Sequence, residues 1–212
     1  MTLDQTRQLG IEFERRVQTM IPETESAMKL DTDTIYSFLN QYQDKYVHDI
    51  YKMLDSIPDS TKPFQYADTI LRGLISTYNV SLQETDTNIH NISLPSDFGL
   101  YADSTTHVNN SYKFKNREDV DGVLHNVTVS SNKLRNYLTK PHDRMRILRT
   151  PIVGFNGKNS MVLICDRYTK PTEFTMTYYK IPSYMNLFTS TPCELSMDAF
   201  DDLVTGAVDM YV

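Results

Sequence analysis

The sequence predicts an α+β fold: an antiparallel helical bundle with an inserted β-rich, sandwich- or barrel-like domain and a C-terminal helix. Two observations carry that expectation. Apolar residues recur at three- and four-residue intervals up to about position 80 and again after Glu194. Between these stretches the texture changes to short β-branched or aromatic runs separated by Asn, Asp, Ser and Gly. The implied organisation is a helical scaffold of residues 1–80 plus 194–212 and an inserted β-rich domain over 81–193. With 212 residues and 40% hydrophobic content, the chain is long and apolar enough to bury a core.

The first helix is expected over 3–20, where Leu9, Phe13, Val17 and Met20 fall on one face ahead of Pro22. The second spans 31–57: Ile35, Phe38, Leu39, Tyr42, Tyr46, Ile50, Met53 and Leu54 form its stripe, and Pro58 stops it. Asp31 stands at its cap, with Leu30 and Ile35 placed as a hydrophobic staple. A third helix is predicted over 61–79 from Phe64, Ala67, Ile70, Leu71, Leu74, Ile75 and Tyr78, with Pro63 in its first turn and Gly73 as its weak point. The last runs over 196–211, capped by Ser196, with Leu203, Val204, Ala207, Val208 and Tyr211 on its apolar face. Phe38, Leu39, Leu71, Leu74, Leu203 and Ala207 are the expected core.

In the β-rich region, Val123, Val127 and Val129 alternate with Asn126 and Thr128 as in a strand with one wet face. Ile152 to Cys165 reads as a hairpin about the turn Gly154–Asn159, and Thr172–Ile181 reads as the next strand of a meander. Four N-x-[ST] triplets start at Asn79, Asn91, Asn109 and Asn126, but the first residues lack a secretory pattern, so a chain made in the cytoplasm is expected. No run of about 18 apolar residues occurs, and no membrane partner is expected.

The motifs of the commonest hydrolases, nucleotide-binding proteins and zinc proteases are missing, and the seven glycines form no cluster. Cys165 and Cys193 stand far outside CxxC spacing, and His48, His90, His107, His125 and His142 are never closer than 17 positions. No catalytic, metal or cofactor site is expected.

Charge is segregated instead. From Lys133 to Arg149 six cations, Lys133, Arg135, Lys140, Arg144, Arg146 and Arg149, face one acid, a net +5 in a chain whose total is −6. From Glu194 onward there are five acids, Glu194, Asp198, Asp201, Asp202 and Asp209, and no base. An ordinary solvated loop and helix face account for this. A subunit with one basic and one acidic surface, suited to head-to-tail packing around a ring or to steering a polyanion locally, accounts for it equally. The overall acidity argues against a general nucleic-acid binder.

The run KLDTDTIYSFLNQYQDKYVHDIY, the LPSDF of Leu94–Phe98, the strand TEFTMTYYKIP and the terminal CELSMDAFDDLVTGAVDMY resemble head-to-tail connector (adaptor or ring) proteins of short-tailed bacteriophages. They are most similar to ring proteins of crAss-like phages, over about residues 25–212. The resemblance implies a non-enzymatic virion protein at the portal–tail junction. It would form a homo-oligomeric ring, commonly a dodecamer, bound to the portal protein on one side and to the next ring or tail protein on the other. Genomic DNA would pass through without sequence-specific binding. Pro192-Cys193-Glu194-Leu195 departs from the Leu-Pro pair that family members often carry ahead of the last helix. A β-sandwich module binding carbohydrate or protein, lined by the Tyr, Asn and Asp of positions 80–190, is the alternative.

Overall fold

Helix α1 (Leu3–Met20) begins with a capping box in which the Thr2 hydroxyl accepts from the Gln5 N–H and the Gln5 side chain accepts from the Thr2 N–H. Helix α2 (Thr32–Ser56) buries Ile35, Tyr36, Leu39, Gln43, Val47, Ile50 and Leu54, a stripe that follows the helical repeat. The computed structural model describes residues 1–21, 30–56, 69–83, 89–108, 122–139, 150–165 and 170–212. They form two compact units, Met1–Ile75 with Ile181–Val212, and Ser76–Lys180. The chain passes between the units ahead of the texture changes at 80/81 and 193/194. The fold is α+β, with a helix at its C-terminal end.

In the first unit the C-terminal helix packs on α1 and α2, which also touch each other. Gly10 lets the Tyr36 ring approach α1, and the Tyr36 hydroxyl donates to the Thr6 carbonyl at 2.8 Å. Burial pushes that phenol up to about 12. Leu39, Leu71, Leu74, Leu203 and Ala207 are fully enclosed. Phe38 is half-buried and closes an aromatic cluster with Phe13 and Tyr211 at centroid separations of 5.2–6.5 Å.

The third predicted helix needs correction at its C-terminal end. Residues 61–68 lie outside the described residues; Thr69–Leu71 are helical, Arg72–Leu74 form a 3-10 turn, and strand β1 (Ile75–Ser81) follows. Leu74, Ile75 and Tyr78 fit a helical stripe, yet Ser76, Tyr78 and Val80 also share one side of a strand, and pairing with a distant strand decides the outcome.

The second unit holds two four-stranded sheets. The first has the order β1, β8 (Pro171–Lys180), β3 (Phe98–Val108), β4 (Gly122–His125). The second has the order β2 (Ile89–Ser93), β7 (Ser160–Ile164), β6 (Ile152–Phe155), β5 (Val127–Thr128). Ile92, Val153, Met161 and Leu163 from the second sheet share one core with Phe174, Met176 and Tyr178 from the first, so the sheets stack face to face. The hairpin β6–β7 forms as expected, with Gly157 at φ +90° in its turn. The following strand does not extend a meander: β8 crosses to the first sheet and pairs with β3 and β1, because its alternation of Phe174, Met176 and Tyr178 supplies the facing half of the core. Two elements escape the sequence reading, strand β3 and helix α3 (Ser131–Thr139). Leu134 of α3 packs on Val162 and Ile164, the outer side of β7, which is why β7 is apolar on both sides. Gly154 leaves room for this, since a Cβ there would lie 3.1 Å from Leu134.

The strand expected over Val123–Val129 is also different. Val123 and Val127 are about half exposed, whereas Asn126 is buried. The chain switches sheets at Asn126, between β4 and β5, so no single face alternation runs through the segment. The Asn126 side chain accepts from the Thr106 hydroxyl at 2.7 Å and donates to the Ser104 hydroxyl at 2.8 Å, which also bonds Tyr101 at 2.8 Å. This network satisfies the three polar side chains, Ser104, Thr106 and Asn126, that β3 and the crossover bury. An amide so engaged is not an accessible glycosylation acceptor, although Asn126 begins an N-x-T triplet.

His90 points inward beside Ile92 on β2, and its Nε2 has no hydrogen-bond partner. Burial disfavours the imidazolium, so its pKa in the fold lies below the ordinary histidine value. The unfolded chain then binds the proton more readily, and stability is complete above the unfolded pKa and declines as pH falls through it towards the folded value. His90→Leu is expected to raise stability by about 1–3 kcal/mol and to remove part of the loss between pH 7 and pH 5. Melting curves across that range check it; an unaltered pH slope would contradict it.

Candidate interface

Helix α4 (Phe200–Tyr211) follows a 3-10 turn, Met197–Ala199. The Ser196 hydroxyl accepts from the Asp198 N–H and donates to the Asp198 carboxylate, so this acid is part of the cap. Asp201 and Asp202 occupy the first turn of α4, where the helix dipole favours negative charge. Asp201 also accepts from Arg16 of α1 at 2.9 Å, and the same guanidinium donates to Glu12 at 3.0 Å and to the Thr205 hydroxyl at 2.7 Å. Hydrogen bonds from Arg15 and Arg16 hold the Glu12 carboxyl below its ordinary value. Asp202 accepts from the Tyr46 hydroxyl at 2.8 Å.

Gly206 lets the Tyr42 ring lie directly on α4: a Cβ there would be 1.8 Å from the ring. Burial, followed by the charges of Asp202, Asp209 and Asp49, raises the Tyr42 phenol. The Lys45 ammonium sits 5.8 Å from the same ring. The structure therefore gathers Asp202 and Asp209 with Asp49 around Tyr42, while Asp198 caps and Asp201 pairs with Arg16.

Of the six cations, Lys133 and Arg135 are exposed on α3 in the other unit. The segment's start is thus a helix with Leu134 turned inward, not a loop. Lys140, Arg144, Arg146 and Arg149 lie outside the described residues.

A third surface feature was not foreseen. The return segment after β8 runs back along α2: the Asn40 side chain exchanges two hydrogen bonds with the Met185 backbone, at 2.8 and 3.0 Å. The Gln43 amide donates to the Ser183 carbonyl at 3.3 Å, and the Tyr184 hydroxyl donates to Asp44 at 3.0 Å. The segment so fixed displays Phe188, 78% exposed, at a turn that Asn186 closes by accepting from the Phe188 and Thr189 N–H groups. The available signal was Asn40, Gln43 and Asp44 at helical spacing on α2, polar groups with no partner on their own helix.

Among the described residues no three His, Cys, Asp or Glu side chains meet as metal ligands, and no helix is long and apolar enough to cross a membrane. No protein-family model matches the chain, and a search of curated proteins finds none that matches it.

Proposed function

We propose that the protein is a ring-forming subunit of a phage head-to-tail connector, a structural virion protein that docks on the portal, joins it to the next tail component and surrounds the passing genome. The observation that carries this reading is the division of charge between the two units. The acids of the terminal helix belong to the helical unit, and Lys133 and Arg135, which open the net +5 segment Lys133–Arg149, are exposed in the β unit. A head-to-tail contact between copies needs complementary surfaces on different parts of one chain. The resemblance of the segment order to that of connector proteins and the α+β architecture support the same reading.

The cations serve a protein interface rather than the channel wall, because a strongly basic wall would hold DNA phosphates and slow their passage. Arg144→Glu combined with Arg146→Glu is expected to weaken assembly onto the portal complex at least tenfold, about 1.4 kcal/mol, and wild-type assembly is expected to weaken with salt. Sedimentation of portal complexes in a salt series measures both effects. Normal assembly of the double variant together with abnormal DNA ejection would assign the cations to the channel instead.

A further inference from the structure

We infer that the first sheet is extended from copy to copy: the open edge of β4 in one subunit takes up strand β1 of the next. This rests on the ring-forming reading above and names the contact that would join the copies. β1 and β4 stand at the two ends of the sheet order β1-β8-β3-β4. β1 carries none of the protections that an edge strand's own sequence can supply. Its seven residues, Ile75–Ser81, include no charge, no proline and no glycine, whereas the other edge strands, β2, β4 and β5, have five, four and two residues.

Three features of the two edges fit each other. Direction is the first: β3 is antiparallel to β8 and to β4. The Leu82 N–H donates to the Thr172 carbonyl, and Ser76 lies beside Tyr178, so β1 is antiparallel to β8 as well. In a sheet of four alternating strands the two edges run in opposite senses, and a copy in the same orientation presents its β1 antiparallel to β4. Hydrogen-bonding phase is the second. Leu82 bonds towards β8, so Ile75, Thr77, Asn79 and Ser81 turn their N–H and C=O outward from the sheet. The Asn126 N–H donates to the Ser104 carbonyl, so Val123 and His125 do the same on β4. These are also the residues whose side chains lie on the exposed face in both strands, as directly opposed residues of an antiparallel pair must. Apolar surface is the third. Ile75, 46% exposed, and Val123, 50% exposed, are the large apolar side chains that the first sheet leaves uncovered among the described residues, one on each edge. With Val123 opposite Thr77 and His125 opposite Ile75, they become diagonal neighbours. A contact between two different edges is heterologous, the kind that builds a ring when the rotation from copy to copy closes.

Cross-linking of the full chain tests the inference, in concentrated solution and in purified particles. Opposed residues of a hydrogen-bonded antiparallel pair lie about 5.5 Å apart at Cα, within reach of a disulfide. The native cysteines, Cys165 and Cys193, are both buried. Thr77→Cys combined with Val123→Cys is expected to give, on oxidation, a ladder of covalent dimers, trimers and larger species, while each single variant stays monomeric. Thr77→Pro, which removes an outward N–H opposite Val123 and leaves the pairing with β8 intact, is expected to weaken self-association at least tenfold with an unchanged circular dichroism spectrum. A covalent dimer from Thr77→Cys alone would show β1 pairing with β1 about a twofold axis and would overturn the inference. A ladder in neither solution nor particles would overturn it as well. A ladder in solution from a chain absent from particles would uphold this contact and remove the connector reading; the chain present in particles without a ladder would do the reverse.

Discussion

Gly73→Ala is expected to destabilise the helical unit by at least about 3 kcal/mol, the upper range for overpacking. An added Cβ would stand 2.0 Å from the Glu194 carbonyl oxygen and 3.2 Å from its carbon. Those atoms are backbone and have no rotamer to escape into. The surroundings leave no room for a shared shift, because the Ser196 N–H donates to the Ile70 carbonyl at 3.1 Å and Leu71, Leu74, Cys193 and Leu195 are all fully enclosed. Separating the two chains would open that core. Gly157→Ala is the control: nothing lies within 4 Å of its Cβ, so only its backbone φ of +90° is strained, at about 1 kcal/mol. Urea unfolding of both variants measures the difference. Equal, small losses would show that the 70–74 and 193–196 segments do not approach as closely as described.

Asn126→Ala is expected to cost about 2–4 kcal/mol, since it leaves the enclosed hydroxyls of Thr106 and Ser104 short of partners at the point where the chain leaves one sheet for the other. A double-mutant cycle with Thr106→Val isolates the shared part. The two losses are expected to be less than additive by about 1 kcal/mol, because Thr106→Val removes one of the hydroxyls that Asn126 serves. Full additivity would contradict the network. The prediction separates a polar crossover from a merely exposed turn, where the same substitution stays within about 0.5 kcal/mol.

What was legible in the sequence follows from how local each signal is. α1 begins and ends where its apolar stripe and Pro22 place it, and α2 and α4 lie within a few residues of their predicted bounds. The β6–β7 hairpin was legible through its turn. β3 was hidden because two of its inward positions hold Ser104 and Thr106, polar residues that become core only when Asn126 is brought to them. α3 was hidden because one residue, Leu134, carries its buried contact, and the basic residues around it dominate the pattern. Ile75–Ser81 satisfied both periodicities, and the choice was made by β8, some hundred residues away in sequence.

The candidate interface divides in the same way. Capping by Ser196 was readable from neighbouring residues, and it accounts for Asp198. Neither the pairing of Asp201 with Arg16 across 185 positions nor that of Asp202 with Tyr46 across 156 has any local signal. Polar stripes on amphipathic helices, such as Asn40, Gln43 and Asp44, therefore merit reading as anchors for a returning chain, not only as a solvated face.

The proposed connector role is tested most directly by asking whether the chain is present in purified phage particles. Mass spectrometry combined with cryo-electron microscopy of the portal–tail junction is expected to find it there in multiple equivalent copies, arranged as a ring against the portal. Particles that are complete, carry a tail and lack the chain would contradict the assignment.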